Sequence, residues 1–214
     1  CGGVIDVTDF VADENITAII WIGYPGQSGG QALAEILFGH VAPTGRVPLT
    51  WYPNSYLTNL SMYDMGLQPN ASSTVKQGRT YRYYTGTALY PFGHGVFYTN
   101  FTYALGGGKA NPATLSRSNI DRVLAMGPKA RYLTPPLTSL DVSVTNVGTV
   151  ASGTSVLAFV SSPGAGANGL PIRSLAAFGR TEVLQPGTTS STLSLTLDAY
   201  ALSVVDESGA HVSV

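Results

Sequence analysis

The apolar positions of this chain change their spacing near residue 138, and that change divides it. Upstream, Ala18-Ile19-Ile20-Trp21-Ile22 is an unbroken apolar run. Bounded by turn residues, it predicts a parallel strand at 16–22, covered by helices on both faces. The turn Gly23-Tyr24-Pro25-Gly26-Gln27-Ser28-Gly29-Gly30 follows, then Leu33, Ile36 and Leu37 at helical spacing. These predict a helix at 31–38 with Gly39 as its left-handed stop. A short helix at 6–11 precedes the strand, ending near the acidic Asp13-Glu14. After the turn Pro43-Thr44-Gly45-Arg46, residues 47–51 read as a last, partly edge strand. Residues 52–90 are aromatic, Asn-rich and aperiodic. A loop of that length is functional or packed onto a neighbouring domain.

From 138 the pattern is strict alternation. Leu140, Val142 and Val144 face one way, with Asp141, Ser143 and Thr145 facing the other. Leu193, Leu195 and Leu197 repeat this between Thr192, Ser194 and Thr196. Turns at Asn146-Val147-Gly148 and Pro186-Gly187 close the strands, which predicts an antiparallel β-sandwich. Such a sandwich has about seven strands, and the alternation supplies five or six before Val214. Residues 104–137, with Gly106-Gly107-Gly108 and Pro135-Pro136, read as a connector carrying one strand. The domains expected are therefore 1–103, α/β with a trailing loop; 104–137, connector; and 138–214, all-β sandwich, truncated at its end.

Composition narrows the classes. Charged residues are only 11% of the chain and the formal net charge is −1, which gives no pull on nucleic acid. The longest apolar run is far too short to span a bilayer. The opening Cys1-Gly2-Gly3-Val4 reads as a strand end, so the chain is expected to be the carboxyl-terminal piece of something longer. Cys1 is the single cysteine and is expected to be a strand-end thiol. Four sequons, at Asn15, Asn59, Asn70 and Asn100, together with the sparse charge, point to a secreted, extracellular glycoprotein.

Five segments stand in a telling order: the glycine turn 23–30, Ala42-Pro43-Thr44-Gly45-Arg46, Tyr52-Pro53, Gly78-Arg79-Thr80-Tyr81 and Pro91-Phe92-Gly93-His94-Gly95. With them, residues 1–103 resemble the carboxyl-terminal part of a glycoside hydrolase family 3 enzyme of the plant and fungal β-xylosidase type. Val144-Thr145-Asn146-Val147-Gly148 and Gln185-Pro186-Gly187 resemble that family's fibronectin type III-like domain. The resemblance implies the end of an α/β sandwich domain here, with a (β/α)8 barrel and an α/β segment upstream. These would be this chain's partners, within one precursor or as a second chain. It also implies an exo-acting retaining hydrolase. The enzyme would release D-xylose from the non-reducing ends of xylo-oligosaccharides, with L-arabinose as a second sugar. A β-glucosidase of the same family is the alternative. Ser28 stands where those enzymes tend to carry an acidic residue, and Trp51-Tyr52-Pro53 and Tyr63-Asp64-Met65 look more like the xylosidases.

Retaining hydrolysis needs two carboxyl groups about 5–5.5 Å apart. The resemblance places the nucleophilic aspartate in the barrel and the acid/base glutamate upstream of Cys1, so no catalytic residue is assigned here. Glu35, Asp13, Glu14, Asp206 and Glu207 read as solvated. Tyr24, Gln27, Ser28 and Asp64 are the candidates for lying beside substrate. A rival reading takes Gly26-Gln27-Ser28-Gly29-Gly30 as a G-x-S-x-G elbow, with Asp64 and His94 following in triad order, as in an α/β-hydrolase esterase. Pro25 and Tyr24 lengthen the turn against it. A non-catalytic capping module is the third reading. Tyr81, Tyr83, Tyr84 and Tyr90 could stack on sugars, but gluing the loop to the barrel is the favoured role. Arg79 and Arg82 read as holding domain contacts or backbone carbonyls, not a substrate. His40 and His211 lack metal-ligand neighbours, and neither a phosphate-loop nor a dinucleotide motif is present, so no metal or cofactor is expected.

Overall fold

The computed structural model describes residues 3–58, 60–105, 116–187, 189–206 and 208–213. Cys1, the Asn59 sequon, the 106–115 part of the connector and Glu207 lie outside the described residues, and the readings placed on them rest there. The chain divides into two units, Cys1–Val96 and Phe97–Val214.

In the first unit α1 (Thr8–Ala12) falls within two residues of its expected place. Asp6 launches it, its carboxylate accepting the Thr8 amide and hydroxyl at 2.9 and 2.6 Å. Helix α2 (Gly29–Leu37) ends as the sequence predicts, and the one-turn α3 (Thr80–Tyr83) follows later in the unit. Gly39 takes φ +76, the Gly39 amide donates to Ile36 and the His40 amide to Glu35, at 3.0 and 2.8 Å. This paired closure needs a left-handed residue, and only glycine adopts that conformation without a Cβ penalty.

Two predicted strands are corrected. No residue of 16–22 enters a ladder among the described residues, and Ile16, Ile19, Ile20 and Ile22 are 38–49% exposed. A parallel strand exists only through hydrogen-bonded neighbours at its sides, and the first unit supplies none. Residues 47–51 reduce to one bridge, Trp51 with Tyr90, plus a turn-like pairing of Val47 with His94 and Gly93. Pro48 carries no N–H, which interrupts any longer ladder there. The small core gathers on Val7, Ala42, Trp51 and Val75, with Trp21 edge-on to Trp51 at 6.4 Å.

The second unit holds seven strands among the described residues: β1 (Phe101–Leu105), β2 (Thr138–Asn146), β3 (Ser155–Val160), β4 (Ser174–Arg180), β5 (Thr189–Leu197), β6 (Ser203–Val205) and β7 (His211–Ser213). They form sheets ordered β1-β2-β5, β3-β4 and β6-β7, all antiparallel. Val142 and Val144 from β2 and Leu195 from β5 meet Val156 of β3 and Leu184, with Ala177 of β4 packed against them. This is the sandwich core, built from the residues whose alternation predicted it. A Cβ on Gly179 of β4 would press on the Leu193 and Leu195 side chains, which would have to shift.

The described part of the connector carries two helices that the sequence pattern did not announce, α4 (Arg117–Ala125) and α5 (Ala130–Leu133), besides the last two residues of β1. Ile120, Val123 and Leu124 form one face of α4 and pack against Ala199, Leu137, Tyr200 and Leu202. The expected boundary between 103 and 104 falls inside β1, whose Phe101 pairs with Asn146 and Leu105 with Val142.

Candidate functional site

The long aromatic loop of the first unit is organised around Gly78-Arg79-Thr80. Gly78 takes φ +74 and Thr80 φ +62. A β-branched residue in the left-handed region is strained by roughly 1–3 kcal/mol and must be held. Tyr52 holds it, its hydroxyl accepting the Thr80 amide at 2.7 Å. Tyr56 donates its hydroxyl to the Gly78 carbonyl at 2.8 Å. A Cβ on Gly78 would collide with the Tyr83 carbonyl, so glycine is needed there for space as well as conformation. Tyr52 and Tyr56 stack at 4.4 Å, and Tyr84 stands edge-on to both at 4.8 and 5.2 Å. Burial raises the pKa of all three phenols, keeping them neutral donors and acceptors.

Asp64 lies in the neighbouring turn. Its carboxylate accepts the Gly66 amide at 3.1 Å and the Thr74 amide and hydroxyl at 3.0 and 2.9 Å. The hydrogen bond from Gly66, then that from Thr74, lowers its pKa, so it stays an anion and serves as an acceptor. Arg79 donates Nη2 to the Asp64 carbonyl at 2.6 Å. Between these anchors Met62, Tyr63 and Met65 point outward, Tyr63 at 87% exposure.

The expected tyrosine cluster is split four ways. Tyr84 joins Tyr52 and Tyr56, Tyr81 stacks on Phe92 at 4.3 Å, and Tyr90 lies against His94 at 4.9 Å; Tyr83 sits beneath the Arg82 guanidinium at 5.6 Å. These rings pack on other side chains of their own unit; the expected gluing of the loop to a barrel concerns a segment outside this chain. Pro91-Phe92-Gly93-His94-Gly95 is likewise structural. Arg46 donates to the Gly93 carbonyl at 3.0 Å, and a Cβ on Gly95 would meet the Gly45 carbonyl.

Tyr24, Gln27 and Ser28 share the exposed glycine turn. Ser28 sits at the α2 N-cap with φ −89 and ψ 8, without a side-chain cap. That conformation lacks the strain of a nucleophile elbow. Among the described residues no hydrogen bond joins Ser28 to Asp64 or His94, and the Asp64 oxygens are engaged locally. The esterase constellation is therefore not assembled. Four further carboxylates serve local roles: Asp13 holds Asn15, Asp206 holds its own turn, Asp198 pairs with Arg131 and Glu35 accepts from Gln31. Asn15, Asn70 and Asn100 are all exposed. Sequence reading took Tyr52 only as part of a family motif and passed over Tyr56; the signal for the pair was a second tyrosine four residues on, set on the short turn Asn54–Leu57 that follows Pro53.

Comparison with known proteins accounts for this pattern of structural motifs. The glycosyl hydrolase family 3 C-terminal domain matches residues 1–98, and the fibronectin type III-like domain matches residues 154–214. The exo-1,4-beta-xylosidase of Aspergillus oryzae is 40% identical over 215 residues, covering 99% of this chain. The chain belongs to glycoside hydrolase family 3. The probable beta-D-xylosidase 6 of Arabidopsis thaliana is 48% identical over 139 residues, 62% of this chain and 17% of its own length. A solved family 3 exo-beta-xylosidase, in complex with a xylobiose aziridine activity-based probe, superposes with TM-score 0.74 at 32% identity. The superposition covers 97% of this chain and 26% of that one. The chain spans about a quarter of the length of the Aspergillus relatives it matches, 26% for the A. oryzae enzyme. A Trichoderma reesei beta-D-glucoside glucohydrolase shares the fold, with TM-score 0.70 at 23% identity. Strands β1 and β2, which complete the three-stranded sheet, lie between the two matched segments.

Proposed function

We propose that this chain is part of an exo-acting retaining glycoside hydrolase releasing D-xylose from the non-reducing ends of xylo-oligosaccharides, with L-arabinose as a second sugar. The observation that carries this reading is the 40% identity to an exo-1,4-beta-xylosidase across 99% of the chain. The exposed run at Ile16, Ile19, Ile20 and Ile22 supports it physically, because such a run is made to be paired by neighbouring strands at its sides and covered by helices on its faces. Those neighbours, and the two catalytic carboxyl groups, belong to the segment upstream of Cys1. Tyr24, Gln27, Ser28 and Asp64 are the positions proposed to lie nearest the sugar, with Asp64 acting by fixing its turn.

The experiment is a paired assay. This chain alone is expected to leave nitrophenyl xyloside, arabinofuranoside and glucoside intact, while the full-length protein cleaves the xyloside most efficiently. Turnover by the chain alone, lost on changing one of its own carboxylates, would overturn the assignment; a preference of the full-length protein for the glucoside would give the activity to the β-glucosidases.

The sequons support a secreted, glycosylated protein, since Asn15, Asn70 and Asn100 all stand on the surface. Peptide mapping of protein from its natural source is expected to find glycans on them. Bare asparagines throughout would remove the case for secretion.

A further inference from the structure

Helix α4 and strand β7 of the second unit enclose a cleft of about 580 Å³, within the range of about 300–1,000 Å³ typical of small-molecule sites. Leu124 and Tyr200 line its apolar part; Arg117, Asp121, His211 and Ser213 line the rest. Arg117 and Asp121 are four residues apart, so they occupy the same side of α4. Opposite charges at this spacing commonly close on one another. Here they do not: Arg117 gives Nη2 to the Ser213 carbonyl at 3.3 Å, and Asp121 has no hydrogen bond or ion pair among the described residues. Guanidinium donors and both carboxylate oxygens therefore remain available at one cleft.

The aromatic wall is held in place. The Tyr200 ring stands edge-on to His211 at 4.8 Å and 78°, and His211 Nδ1 is hydrogen-bonded to the Ser203 hydroxyl at 2.9 Å. The Tyr200 hydroxyl, closed off from solvent, has no partner among the described residues. A fixed ring costs little ordering on binding, and a ring face suits the C–H face of a sugar. Adjacent sugar hydroxyls both donate and accept, which matches a carboxylate beside a guanidinium, and the opposite charges of that pair favour a neutral polyol over an ion.

We infer that the second unit carries its own sugar-binding cleft, in which Arg117 and Asp121 grip adjacent hydroxyls of a neutral xylo-oligosaccharide beside the Tyr200 ring. The choice of sugar rests on the proposed function; the cleft itself does not. It would hold substrate on a unit that performs no chemistry, raising the local concentration of chain ends.

The test is titration of xylotriose into this chain, isotope-labelled and followed by NMR. Saturable shifts are expected on α4 and at residues 209–213, with little change in the first unit. Asp121→Asn and Arg117→Gln are each expected to weaken the apparent Kd about tenfold, the loss of one charge-assisted hydrogen bond. Both side chains are exposed, so the melting transition should be kept, and it is measured alongside. Absence of saturable shifts, shifts confined to Cys1–Val96, or variants that bind as the parent does would overturn the cleft. Inorganic phosphate moving the same residues while xylotriose moves none would overturn it in favour of an anion site. Hydrolysis by the full-length protein is read separately: a preference there for glucosides sinks the proposed function, whereas xylotriose binding still decides the cleft.

Discussion

Asn146 shows how much one side chain can hold. It is fully buried and satisfied on every side. Its Oδ1 accepts the Thr99 hydroxyl and the Gly148 amide at 2.6 and 3.1 Å, and its Nδ2 donates to the Val150 and Leu184 carbonyls at 2.8 and 2.9 Å. Asn146→Leu removes a partner from each; the Leu184 carbonyl keeps the Ser152 amide, and one or two groups are left out of reach of water at about 1–3 kcal/mol apiece. Unfolding in denaturant is expected to show a loss of about 2–4 kcal/mol for the second unit. A midpoint unchanged from the parent would refute the role. Asp64 gives a second outcome, in the first unit. Its pKa is lowered on folding, so its contribution is complete above the ordinary carboxylate value of about 3.9 and fades as pH falls through the lowered one. Hydrogen exchange at the Gly66 and Thr74 amides should accelerate, relative to its intrinsic rate, over that acidic window and not above it. Asp64→Asn should abolish the pH dependence.

At the level of elements, what could be read from sequence was what depends on near neighbours. Helix α2 is closed by a local pair of hydrogen bonds through Gly39, so its end was legible in one residue. Gly39→Ala places a Cβ in the left-handed region, at about 1–2 kcal/mol; a thermal transition of the first unit unchanged by this substitution would count against that account. The alternation of β2 and β5 was legible because every second residue faces the same core. The run at 16–22 misled because its apolar character reports burial, while a ladder requires partners far along the chain. Helix α4 was passed over although Ile120, Val123 and Leu124 stand at helical spacing, because the glycines and prolines around it set the reading of the whole stretch. The glycine turn and Gly78-Arg79-Thr80 were legible as family motifs. Their work proved to be holding backbone, as the Tyr52 and Tyr56 hydrogen bonds show.

For the molecule as a whole, the register of β1 on β2 sets a clock. Phe101 pairs with Asn146, and Asn100 gives its carbonyl to the Val147 amide at 2.8 Å. At synthesis rates of about 5–20 residues per second, β1 emerges several seconds before the strand that will zip onto it. During those seconds the Asn100-Phe101-Thr102 sequon is loose chain; afterwards its threonine is fixed in a ladder. In protein passing through a secretory route, glycan occupancy at Asn100 should therefore trail that at Asn15 and Asn70, neither of which lies in a strand. It should rise when translation between residues 103 and 146 is slowed by rare codons. Equal occupancy at the three sites, insensitive to translation speed, would show that the modifying enzyme does not race the fold. If it does race, the order in which this sandwich closes is written into the glycan heterogeneity of the finished protein.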